Sequence, residues 1–161
     1  MSFLRFLMLL TLIVWIGGII FFAFVEAPTL FTVLPTTKLA GDVVSASLTK
    51  LHSIGLAAGL VFLITSPLYN WQKHLQLKLF SLSHVFIVLM LAFTAYSQFS
   101  ISPRMRVLRA EMQSTDSISS APTARTEFDR LHEWSTRLEG GVLLLGLGVV
   151  LLTARRFDSS K

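Results

Sequence analysis

The amino-acid sequence predicts an all-α fold: an integral membrane four-helix bundle with helical extensions beyond the bilayer on the non-cytoplasmic side. Three observations predict it. The 161 residues are 53% hydrophobic and only 14% charged, with a mean hydropathy of +0.67, whereas a soluble domain carries about 25% charged residues. Four stretches lack Asp, Glu, Lys and Arg altogether, and a helix needs about 20 such residues to cross a bilayer. Apolar residues then continue at helical spacing past the ends of these stretches. The length allows a single domain, 1–161. Hydrophobicity excludes disorder. The absence of cysteine excludes a disulfide scaffold, thiolate metal sites and a catalytic thiol. A net charge of +5 on so apolar a chain predicts anionic lipid and the positive-inside effect, with no nucleic-acid partner.

The first span is Phe6 to Val25, between Arg5 and Glu26. It is longer than the roughly 7–15 residue core of a secretory signal, and its one small-residue cleavage candidate, Ala27, precedes Pro28. A retained helix is expected. Pro35 with Thr36 and Thr37 is a stop and restart signal. Ala40, Val43, Val44, Ser47, Leu48 and Leu51 follow at helical spacing, so the second helix begins well before its span, Leu51 to Gln72. The third span is Leu79 to Pro103. Beyond it, Met105, Leu108 and Met112 form a stripe facing away from Arg104, Arg106 and Arg109. Ser114 to Ala124 is Ser/Thr-rich, carries Pro122 and has no period; a mobile loop is expected there, with helix resuming near Arg125. The fourth charge-free stretch, Gly140 to Ala154, is short and borrows a turn, making the span about 138–154. Glu127 with Arg130 and Glu133 with Arg137 are expected to pair on its solvent face.

Four spans put both termini on one side. That side holds Arg5, Lys73, Lys78, Arg155, Arg156 and Lys161 against Asp158 alone. The other side holds eight basic and eight acidic residues, several of them far out in a long loop. Basic residues close to short loops weigh most, so both termini are expected in the cytoplasm, in a bacterial inner membrane.

At about 1.5 Å per residue from the cytoplasmic boundary, Glu26 stands roughly 31 Å up and His52 roughly 28 Å. Arg104 and His132 reach roughly 35 Å and Glu139 about 24 Å. These five residues, drawn from all four helices, meet at the non-cytoplasmic end; His74 and His84 belong to the other end. At about 100° per residue, Phe128, His132, Ser135, Glu139, Val142 and Gly146 share one stripe facing into the bundle. Trp15, Gly18, Phe22 and Glu26 share another. His52 opens a run with Gly55 and Gly59, a small-residue face for close helix approach.

Several short motifs stand in order: Trp15-x-Gly17-Gly18, Ala27-Pro28-x-Leu30-Phe31, Leu34-Pro35, His52, Ser102-Pro103-Arg104, and Phe128-x-x-x-His132-x-x-Ser135. Together they resemble the transmembrane-protein-205-like family, bacterial four-helix membrane domains of unknown function. The resemblance spans most of the chain and implies a four-helix bundle with no established reaction. It departs from the family at Glu139, where Asn is usual.

The residues leave three readings open. In the first, Glu26, His52, Arg104, His132 and Glu139 form a non-enzymatic pocket for a small ligand, ion or partner, with no cofactor. In the second, His52 and His132 ligate haem b or a divalent metal, with Glu26 or Glu139 completing a two-histidine, one-carboxylate set. In the third, the polar cluster fixes helix register in a structural subunit or homo-oligomer. Each residue also has a plain structural role open to it. The histidines can bond neighbouring helices, Glu26 can pair with Arg104 or Arg106, and Arg104 can anchor at the interface. Tyr69 with Trp71, and Trp134, are expected as interfacial belts; Trp15 must pack inside or face lipid. Nucleophilic catalysis has no support, since no Gly-x-Ser-x-Gly turn or phosphate-binding glycine loop occurs.

Overall fold

The computed structural model describes residues 2–74, 81–114 and 121–158, and these residues form helices with no strands. The helices are α1 (Ser2–Phe21), α2 (Ala27–Val33), α3 (Thr37–His74), α4 (Leu82–Tyr96), α5 (Ser102–Ser114) and α6 (Ala121–Asp158). A π-helical turn, Phe22–Glu26, joins α1 to α2, and a second, Ser97–Ile101, joins α4 to α5. The chain therefore makes four long rods, each long and apolar enough to cross a membrane.

Both π turns have the same cause. Pro28 and Pro103 each sit at the second residue of the helix that follows the wide turn. Proline has no N–H and its ring crowds the carbonyl four residues back, so an unbroken α-helix cannot pass through it cheaply. The wide turn takes in one extra residue: Ala27 N–H donates to the Phe22 carbonyl and Ser102 N–H to that of Ser97. Such turns resolve register conflicts and often accompany functional sites. Pro122 falls in the first turn of α6, where the missing donor has no partner to lose. Helix therefore resumes at Ala121 rather than near Arg125, because Pro122 starts the helix instead of breaking it. The centre of the expected mobile loop, 115–120, and the first residues of the expected third span, 79 and 80, lie outside the described residues. Ser114 still belongs to α5.

Successive rods run antiparallel and close a ring. α1 packs on α3, α3 on α4, α4 on α6, and α6 back on α1. Trp15 is the keystone of the first contact. It lies 2% exposed against the glycine face of α3, with its ring over Gly55 and Gly59. Met8, Phe62, Ile87, Met90, Val142 and Val149 continue the core on either side of it. Gly146 and Gly148 let Ile16 and Phe86 close on α6 in the same way. Trp15 thus packs inside. The outer surface is apolar too: Phe24 is 72% exposed and Leu144 71%. A monomer in water rarely shows so extended an apolar surface, whereas helices that satisfy their own backbone suit hydrocarbon.

Tyr69 is buried within the bundle, with the Arg5 guanidinium 5.6 Å from its ring centroid. Trp71 and Trp134 are half exposed, and Arg137 lies 5.8 Å over the Trp134 ring.

Candidate functional site

On α3, Thr49 and His52 stand one turn apart; on α6, Ser135 and Glu139 do the same. The π turn between α4 and α5 brings Ser97 and Gln98 between them. His52, 2% exposed, is held at both ring nitrogens. Its Nε2 is bonded to the Glu139 carboxylate, and its Nδ1 lies 3.0 Å from Gln98 Oε1. Gln98 Nε2 in turn donates to the Thr49 carbonyl at 3.4 Å. That last bond orients the Gln98 amide with its oxygen toward the imidazole, so Nδ1 must carry a proton. A few ångströms along the bundle, the buried hydroxyls of Ser97 and Ser135 meet at 3.3 Å. Polar bonds thus tie α3, the π turn and α6 together at one level of the bundle.

Glu139 has a second face. It is partly exposed and lines a cavity of about 520 Å³ bounded by the first rod, α3, α5 and α6. α1 packs on α6, but past the π turn α2 keeps its contact with α3 while the cavity opens between it and α6. Ile19, Phe22, Pro28, Phe31 and Met105 make the walls mainly apolar. The polar members include Glu139, His132, Ser135, Arg106 and Arg109. A shallower depression of about 480 Å³ lies between α3 and α5, and it shares Ser45, Arg106 and Arg109 with the cavity.

The five predicted site residues divide. His52 and Glu139 bond directly, and His132 and Glu139 line the same cavity. His132 stacks on Phe128, with ring centroids 6.3 Å apart, and stays exposed on its other side. Glu26 is half-buried at the end of the first π turn; Phe22, Ala23 and Ala27 line the cavity around it, but Glu26 does not. It makes no ion pair with Arg104. Arg104 instead points outward and grips Glu127 with two bonds, at 2.9 and 3.1 Å, an exposed pair of little energetic weight. Glu127 was expected to pair with Arg130 along its own helix; the antiparallel neighbour offers a bidentate fork that a one-turn contact does not. Glu133 and Arg137 do pair, at 2.6 Å.

The two-histidine, one-carboxylate set is not assembled among the described residues. The reason is local: side chains occupy both nitrogens of His52, so neither faces an open coordination position.

Gln98, Thr49 and Arg109 were not foreseen as site residues. Ser97 and Gln98 form a polar pair inside an otherwise apolar span, and that pair was the available signal. Arg109 was expected to face away from the α5 stripe. It folds back instead, donating to the Gly41 carbonyl at 2.8 Å and to Asp42 at 3.2 Å, with its guanidinium 5.4 Å over the Phe128 ring. One arginine thereby ties α5 to α3 and α6.

Residues 10–114 match a family described as a domain of unknown function, DUF4149. No curated protein and no solved structure matches the chain. The matched stretch contains Glu26, His52, Gln98 and Arg104, and ends before α6 supplies His132 and Glu139.

Proposed function

The chain belongs to the DUF4149 family of unknown function, and from that premise we propose that it is a small non-enzymatic membrane protein whose cavity binds a small ligand. The observation that carries this is the cavity itself. Its volume of about 520 Å³ falls in the range of roughly 300–1,000 Å³ typical of small-molecule sites. A few convergent polar groups, Glu139, His132 and Arg109, stand on mainly apolar walls, which is the usual make-up of such sites. The His52–Glu139–Gln98 chain is the rigid support for the Glu139 carboxylate, because Glu139 is held from behind. The motif pieces around Trp15, Pro28, Pro103 and His132 support placing the chain beside the transmembrane-protein-205-like proteins.

Native mass spectrometry of the detergent-purified protein tests the proposal. The chain is expected to carry a small molecule that leaves on activation, and Ala23→Trp, which fills the cavity, is expected to carry none while keeping its helical circular dichroism. A bare mass for both, before and after incubation with a membrane extract, would overturn it.

We further propose an inner-membrane orientation with both termini cytoplasmic, supported by the basic residues near the terminal end. The chain has no cysteine, so one placed at exposed Thr123 reports sidedness directly. In intact cells with a permeable outer membrane, a membrane-impermeant maleimide is expected to label it. Labelling only after lysis would reverse the orientation.

A further inference from the structure

We infer that the ligand is a membrane amphiphile with one anionic headgroup and one hydrocarbon chain, the chain lying in the apolar cavity and the headgroup on Lys50 and Arg106. The inference rests on the ligand-binding function proposed above and names its substrate class.

Two hollows and two cations carry it. The cavity and the shallower depression meet at Ser45, Arg106 and Arg109, so a single molecule can occupy both. The first is walled mainly by apolar side chains; the second is bordered by Lys50 and Arg106. Among the described residues Lys50 and Arg106 have no ion-pair or hydrogen-bond partner, whereas neighbouring Arg104 and Arg109 are both engaged by carboxylates. Asp42, the acid bordering the depression, is taken up by Arg109. The depression therefore presents two uncompensated positive charges beside an apolar slot.

The level in the membrane fits. Lys50 immediately precedes the charge-free stretch of α3, and Arg106 follows the one that ends at Pro103. Both stand where headgroups lie, while Ile19, Phe22 and Glu139 place the cavity's inner part alongside hydrocarbon. Its opening between α2 and α6 is lined by the exposed ring of Phe31, which gives a chain a lateral entry from the bilayer.

Physical chemistry then says which part discriminates. A hydrocarbon chain gains little by moving from lipid or micelle into an apolar slot, because both surroundings are equally apolar. Selectivity must come from the headgroup. Each basic residue near a membrane surface favours an anionic lipid by about 1 kcal/mol, close to fivefold, so two amount to about thirtyfold.

The protein in a neutral detergent micelle should be titrated with lysophosphatidic acid, lysophosphatidylcholine of the same chain length, and glycerol 3-phosphate, with binding read by native mass spectrometry. The single-chain phosphate is expected to bind about thirtyfold more tightly than the choline lipid. The Lys50→Gln/Arg106→Gln variant should lose that preference yet still take up both lipids, and Ala23→Trp should weaken both. Equal affinity for the two lipids in the wild type, with both weakened by Ala23→Trp, would overturn the anionic assignment and leave the cavity as a general binding site. Glycerol 3-phosphate binding as tightly as the lipid would overturn the amphiphile in favour of a free phosphate ester. No binding of any probe, together with a bare mass after incubation with membrane extract, would remove both this inference and the function it rests on.

Discussion

Gly55→Ala is expected to destabilise the protein by about 1–3 kcal/mol, the usual range for overfilling a packed core. A methyl group there would collide with Trp15 Nε1 and stand 2.8 Å from its Cδ1 and Cε2. The indole cannot yield, because it is 2% exposed and also pressed on Gly59, where a methyl would meet Trp15 Cζ3 and Leu91 Cδ2 at 2.7 Å. α1 and α3 would have to separate. Gly17→Ala is the control, since nothing lies within 4 Å of a methyl at that position. There the better helix propensity of alanine should show, stabilising by up to about 1 kcal/mol. Opposite signs at two glycines of one bundle, read from unfolding midpoints in detergent, are the expected result. If both substitutions stabilise, Trp15 does not hold α1 to α3.

The second large effect lies at the His52–Glu139 contact. Removing one member of a buried charged or hydrogen-bonded pair leaves its partner desolvated and alone, at a cost of about 3–5 kcal/mol. Glu139→Ala should approach that figure, because it leaves the buried His52 without its partner. His52→Ala should fall short of it on this account, because the Glu139 carboxylate left behind borders the cavity and retains some access to water. Glu139→Gln keeps an amide that can donate to Nε2 and should lose about 1 kcal/mol. The decisive variant is His52→Leu/Glu139→Leu. Apolar replacement of both partners is often nearly neutral, so the double variant should be more stable than Glu139→Ala alone, with a residual loss from the unsatisfied Gln98 oxygen. A cycle of His52→Ala, Glu139→Ala and the double alanine variant in which the two losses simply add would show that the residues act independently.

Much of the site was legible in the sequence, for a definite reason. Hydrophobic spacing on an α-helix reports both axial height and face. Height placed His52 and Glu139 at one end of the bundle, and face turned Phe128, His132, Ser135 and Glu139 inward together. All four line the cavity. Gln98 and Arg109 escaped because an isolated helix does not reveal them. Gln98 sits in a π turn, whose extra residue shifts the phase of the helix beyond it. Arg109 has an apolar stem that can lie along the protein while its guanidinium turns back to a partner. Choice of partner escaped for the same reason. Glu127 has a cation within its own helix and another across the interface, and spacing cannot rank the two.

By itself the sequence determined four charge-poor stretches that make helices long and apolar enough to cross a membrane, a break at Pro35 ahead of the second rod, and the common level of His52 and Glu139. Those properties follow from composition and periodicity, which act residue by residue. Tertiary structure alone decided that His52 spends both ring nitrogens on Glu139 and Gln98, that Arg104 reaches across to Glu127 while Arg109 turns back to Gly41 and Asp42, and that the first rod parts from α6 to leave a cavity. These depend on distances between helices and on the rotation introduced at each π turn. Both are settled only when four surfaces pack at once.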